Sequence, residues 1–109
     1  MLGFGKPRHR EITPGELDSM LRAGTVMVVD VREPEEFDAG HIPGAVNLPL
    51  SVFQPANLPD PGDKTLVLSC AGGKRSAMAL DRCATAQATV DTHLAGGFGA
   101  WRAAGKPVE

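Results

Sequence analysis

The sequence predicts an α/β fold in which a parallel sheet lies between helices, and two observations carry that expectation. Val26-Met27-Val28-Val29-Asp30-Val31 and Thr65-Leu66-Val67-Leu68-Ser69 are nearly continuous apolar runs, the form taken by strands buried on both faces. Segments of helical periodicity, Pro14 to Ala23 and Ser76 to about Ala86, follow or precede each run, with glycines at the joins.

The elements follow in order. Met1 to Arg10 reads as an N-terminal extension, and residues 11–109 as one domain. Thr13-Pro14-Gly15-Glu16 supplies a cap residue, a proline at the first helical position and a glutamate three residues after the cap. Leu17, Met20 and Leu21 then share one helical face, and Gly24 stops the helix after Ala23. After the Val26 strand, Pro34 to Ala39 forms a short acidic helix closed by Gly40. Ala45 to Leu48 is a short strand and Leu50 to Gln54 a helical turn. Pro55 to Lys64, rich in proline and aspartate, is a loop too short to link two domains. The Thr65 strand leads through Cys70 into the Ser76 helix. Thr89 to Leu94 is a last strand, Gly96-Gly97 a turn, and Phe98 to Ala104 a closing helix with Trp101 packed inward.

Composition narrows the function. A chain of 109 residues with 42% hydrophobic and 22% charged residues has ordinary globular usage, so neither disorder nor a fibrous repeat is expected. The net charge of -2 gives no broad basic field for nucleic acid, and any anion site must be local. No apolar run approaches the ~20 residues that span a bilayer, and the basic residues Lys6, Arg8 and Arg10 lack the apolar stretch of a secretory signal. A cytoplasmic location and a monomer are the expectations. The two cysteines do not make a disulfide framework, and no Cys/His cluster has zinc spacing, so neither metal nor cofactor is expected.

The chemistry points to Cys70. Cys70-Ala71-Gly72-Gly73-Lys74-Arg75-Ser76 falls where a strand ends and a helix begins, the place where open α/β sheets bind ligands. Adjacent glycines let successive backbone N–H groups turn inward, and the helix adds the positive end of its dipole. Such a cradle stabilises a thiolate: free cysteine titrates near ~8.5, cradled cysteines between ~3.5 and 7.5. The plain alternative is a packed small hydrophobe, but packing alone does not call for two glycines, a lysine and an arginine behind the cysteine. A different anion site is the other alternative. Cys83, on the stripe of Ala79 and Leu80, reads as core, and His41 and His93 as structural. Arg32, Glu33, Glu35 and Glu36 read as a solvated face and a loop salt bridge.

Together these segments resemble the rhodanese homology domain from about Glu11 to Lys106. The motifs are Asp30-Val31-Arg32 with Glu36-Phe37, Gly40-His41-Ile42-Pro43-Gly44-Ala45 with Asn47 and Pro49, the Cys70 loop, and Leu94-Ala95-Gly96-Gly97 with Trp101. The resemblance implies a three-layer fold with five parallel strands, and a sulfurtransferase of the thiosulfate type. Cys70 is then the catalytic nucleophile that becomes a persulfide. Ala71, Gly72, Gly73, Lys74, Arg75 and Ser76 bind the small anionic sulfur donor, and Arg75 makes a forked contact with it. The acceptor is cyanide or a thiol, including thioredoxin or another protein thiol. Asp30, Arg32 and His41 carry no catalytic role; their motifs brace the loop. Dual-specificity phosphatases and arsenate reductases share this fold with five residues between Cys and Arg, where this chain has four. A non-catalytic binding module is the remaining alternative, and such modules commonly lack the cysteine.

Overall fold

The computed structural model describes residues 9–109, so most of the expected N-terminal extension lies outside the described residues. Five strands form one sheet: β1 (Arg10–Ile12), β2 (Val26–Asp30), β3 (Val46–Asn47), β4 (Thr65–Ser69) and β5 (Thr92–Leu94). Their order is β1-β5-β4-β2-β3, and every pairing is parallel. The helices are α1 (Pro14–Ala23), α2 (Pro34–Asp38), α3 (Lys74–Thr85) and α4 (Gly97–Ala103).

Side chains of the central strands alternate between two cores, because successive residues of a strand point to opposite faces. Val26, Val28 and Val67 join Leu17, Leu94, Phe98 and Trp101 on the side of α1 and α4. Val29, Val31, Leu68 and Cys70 join Ala79, Leu80 and Cys83 of α3 and Phe53 on the other side. The apolar runs therefore mark strands covered on both faces, as expected from sequence. Thr13 caps α1 with a reciprocal pair: Glu16 N–H donates to Thr13 Oγ1 at 3.1 Å, and Thr13 N–H donates to Glu16 Oε1 at 2.8 Å.

Three local differences separate the structure from the sequence reading. Arg10 belongs to β1, whose residues pair with Thr92 to Leu94, rather than to an extension. The helix after Cys70 begins at Lys74, two residues early, because Gly73 caps it at φ +103. Residues Pro55–Asn57 make a second 3-10 turn after the one at Leu50–Val52. No helix among the described residues is long and apolar enough to cross a membrane.

Arg32 lies on no solvated face. It is 5% exposed, and its guanidinium donates to both oxygens of Asp30 (Nη2 to Oδ2, 2.7 Å) and to the Gly40 carbonyl at 2.8 Å. Phe98 lies under it, with 4.4 Å from Arg32 Cζ to the ring centroid. Asn47 Nδ2 donates to the carbonyls of Asp30 and Arg32. A buried ion pair must be this fully satisfied to be tolerated. The result is a rigid brace at the C-terminal end of β2, beside the end of β4 where Cys70 begins: Val31 N–H donates to the Ser69 carbonyl at 2.8 Å.

Candidate active site

The Cys70 loop is built by satisfying its carbonyls from below, which leaves its N–H groups free to turn inward. Phe98 N–H donates to the Cys70 carbonyl at 2.7 Å, and Gly99 N–H to the Ala71 carbonyl at 2.9 Å. That approach requires Gly97: it sits at φ +59, and a Cβ there would fall 2.3 Å from the Cys70 oxygen and 2.8 Å from the Ala71 carbonyl carbon. The glycine pair read from sequence as a turn is therefore the seat of the loop.

Above that seat, Gly73 N–H donates to Cys70 Sγ at 3.0 Å, and Ser76 Oγ lies 3.5 Å from the same sulfur. Cys70 is 1% exposed, while Ala71, Gly72 and Lys74 are at the surface. Burial pushes the thiol pKa up. The Ser76 side chain and the backbone N–H groups of Ser76, Gly73 and Gly72 pull it down and win, so the net shift is downward. Cys83, fully buried with no such donors acting on it, is pushed up by burial alone. Two free cysteines in one small core thus have opposite tendencies, and only Cys70 has donors that favour its thiolate.

The structure brings Cys70, Gly72, Gly73 and Ser76 together around one sulfur and leaves Lys74 exposed at the rim. Arg75 already has an anionic partner. Its Nη1 and Nη2 donate to Glu36 Oε1 and Oε2 at 2.7 and 2.9 Å, so the fork expected to hold a donor holds a carboxylate of α2. That hydrogen bond, aided by the Glu33 N–H and opposed by burial, lowers the Glu36 carboxyl to about 2. Glu36 stays ionised across the physiological range. With Arg75 paired, the Ser76 hydroxyl and the backbone N–H groups rather than a free guanidinium favour the anionic sulfur.

Two residues of the site escaped the sequence reading. Glu36, which the sequence groups with a solvated face and a loop salt bridge, has no linear spacing that relates it to Arg75. His93 is 4% exposed and contacts Ser76 and Glu11, yet it lies in a strand of three residues with no neighbouring pattern. A surface cavity of about 430 Å³, lined by Leu58, Lys64, Thr65 and Val90, lies at the other end of β4 and contains no residue of the loop.

With four residues between Cys70 and Arg75 in a loop seated on a glycine pair, comparison with known proteins is decisive. The family model for the rhodanese-like domain matches residues 13–104. The chain belongs to the rhodanese-like domain family. Over 96 residues it is 43% identical to an uncharacterized protein of Synechocystis, covering 88% of this chain and 54% of that one. It is 33% identical over 100 residues to the human thiosulfate:glutathione sulfurtransferase, covering 79% of this chain and 87% of the relative. A Rhodopseudomonas palustris structure described as a possible tyrosine phosphatase superposes with a TM-score of 0.79 at 32% identity, over 93% of this chain and 85% of that one. The rhodanese-like chain spans about half the length of some curated relatives it matches.

Two outcomes follow from the geometry. Thiolate ultraviolet absorbance, taken as the difference between wild type and Cys70→Ser, titrates with a midpoint below the ordinary ~8.5 of a free cysteine; a midpoint at or above that value contradicts the donor arrangement. Gly97→Ala destabilises the protein by at least about 2 kcal/mol in urea unfolding, from a left-handed backbone and a forced shift of the loop.

Proposed function

We propose that this rhodanese-like chain is a sulfurtransferase that carries sulfur on Cys70. The observation that carries the reading is the Gly73 N–H aimed at Cys70 Sγ from 3.0 Å, within a loop whose inward donors favour the anionic sulfur. The human relative of similar length, named for transfer of sulfur from thiosulfate to glutathione, supports the same class of chemistry.

The reaction has two steps. The Cys70 thiolate attacks the outer sulfur of thiosulfate; the bond between the two thiosulfate sulfurs breaks, its electron pair leaves with sulfite, and Cys70 becomes a persulfide anion. The N–H groups that held the thiolate then hold the terminal sulfur, so charge stays within reach of fixed dipoles throughout. In the second step cyanide, or a thiolate such as a small thiol or thioredoxin, attacks that terminal sulfur and returns Cys70 to a thiolate. Charge balances in both steps without a metal or a proton donor. Lys74 at the rim attracts the dianionic donor, and Arg75 contributes when the donor competes with Glu36 for its fork.

Phosphate-ester hydrolysis is the second reading, raised by the structural neighbour described as a possible phosphatase. The loop of this chain has one residue fewer than the phosphatase pattern between Cys and Arg, which favours sulfur transfer over phosphate-ester hydrolysis. Wild type is expected to form thiocyanate from thiosulfate and cyanide and to leave an aryl phosphate intact, with Cys70→Ser inactive in the first assay. Aryl phosphate hydrolysis without thiocyanate formation reverses the assignment.

A further inference from the structure

Behind the loop, a line of side chains joins Cys70 to the protein surface. Cys70 Sγ lies 3.5 Å from Ser76 Oγ, Ser76 Oγ lies 2.7 Å from His93 Nδ1, and His93 Nε2 lies 3.2 Å from Glu11 Oε2. Cys70, Ser76 and His93 are buried, at 1%, 0% and 4% exposure, whereas the Glu11 side chain is 58% exposed. The line runs from the end of β4 through α3 and β5 to β1. The sulfur chemistry proposed above uses neither His93 nor Glu11.

The direction of each hydrogen bond follows from what each group offers. A carboxylate only accepts, so His93 Nε2 carries the hydrogen that faces Glu11. In a neutral imidazole Nδ1 is then an acceptor, and the single hydroxyl hydrogen of Ser76 points to it across 2.7 Å. The Gly73 carbonyl is a longer alternative acceptor at 3.2 Å. A lone pair of Ser76 Oγ is left facing the Cys70 sulfur. Every link is thus poised to pass a proton outward.

The charged and titratable groups around His93 are few. From β1 and the residue before it come Glu11 and His9; the His9 ring meets His93 edge-on at 6.4 Å between centroids and is itself held by Asp81 of α3 at 2.7 Å. From α3 comes Ser76, and the residue paired with it on β4 is the apolar Leu68. Burial pushes the His93 pKa down, Glu11 pulls it up and His9 pushes it down, for a net decrease. His93 is therefore neutral near pH 7, with its Nδ1 lone pair present.

We propose that His93 accepts the Cys70 proton through Ser76, with Glu11 orienting the imidazole, so that the buried thiol ionises without its proton crossing the loop mouth. The inference rests on Cys70 being the nucleophile. The step balances as a double hop: the S–H proton moves to Ser76 Oγ while the Ser76 hydrogen moves to His93 Nδ1. A thiol and a neutral imidazole become a thiolate and an imidazolium, net charge is unchanged, and the Glu11 carboxylate faces the new positive charge. Ser76 ends as a donor to the thiolate, and His93 to Ser76. His93 is a positioning residue, since it touches neither sulfur nor donor.

The test is the Cys70 thiolate titration, which needs no sulfur donor and so separates failure of the relay from failure of the sulfurtransferase reading. His93→Asn keeps a polar partner for Ser76 but takes up no proton. It is expected to raise the Cys70 midpoint by about one unit, which lowers the ratio of thiolate to thiol at a given pH about tenfold. Ser76→Ala raises the midpoint as well, and the double variant moves no further than Ser76→Ala alone, because the two act as one unit. Glu11→Gln, at an exposed position, gives a smaller rise in the same direction and decides the matter if His93→Asn fails to fold. A wild-type midpoint in folded His93→Asn or in Glu11→Gln, or additive shifts in the double variant, overturns the relay.

Discussion

Two backbone hydrogen bonds underlie the whole site: the N–H groups of Phe98 and Gly99, at the start of α4, take the carbonyls of Cys70 and Ala71. A four-residue connection that tightly curled has more carbonyls and amides than its own bonds can satisfy, and a buried unpaired group is costly. By meeting the carbonyls from beneath, α4 forces the complementary outcome above, where the amides of Gly72, Gly73 and Ser76 converge on one sulfur. The close approach exists only because Gly97 has no side chain and sits in a left-handed conformation. Sheet, loop and closing helix are thereby one mechanical unit, with the Asp30–Arg32 brace fixing the neighbouring strand end and reaching Phe98 through its ring face.

The electrostatic logic follows from that frame. Burial alone would make Cys70 an inert thiol, as it makes Cys83. Fixed dipoles reverse the sign at Cys70 without needing a free positive charge, since the Arg75 guanidinium is paired with Glu36. The Glu36 contribution has a defined pH window. Its folded pKa of about 2 lies below its ordinary 4.5, so the stability it adds is complete above 4.5 and lost as pH falls toward 2. Across the neutral range the Arg75 pair and the sulfur cradle therefore coexist.

Much of this was legible in the sequence, for identifiable reasons. β2, β4 and α1 announce themselves because their patterns are local: unbroken apolar runs and a reciprocal cap. The Cys70 loop is legible because its glycines, its cysteine and the strand-to-helix junction lie within seven residues. What was not legible depends on contacts far apart in the chain. Arg10-Glu11-Ile12 has no strand signature and becomes β1 only by pairing with β5, 82 residues on at Arg10 and Thr92. Arg32 reads as a surface charge until Gly40 and Phe98 close around it. Glu36 and His93 acquire meaning only when the sheet brings α2 against the loop and β5 against α3.

The central claim is that the dipoles around Cys70 hold a transferable sulfur. Intact mass of the reduced protein, recorded before thiosulfate, after it, and again after cyanide, tests this most directly. The account predicts a gain of a single sulfur atom in wild type, its removal by cyanide, and no gain in Cys70→Ser. An unchanged mass with thiosulfate and with polysulfide, or an equal gain in Cys70→Ser, contradicts it.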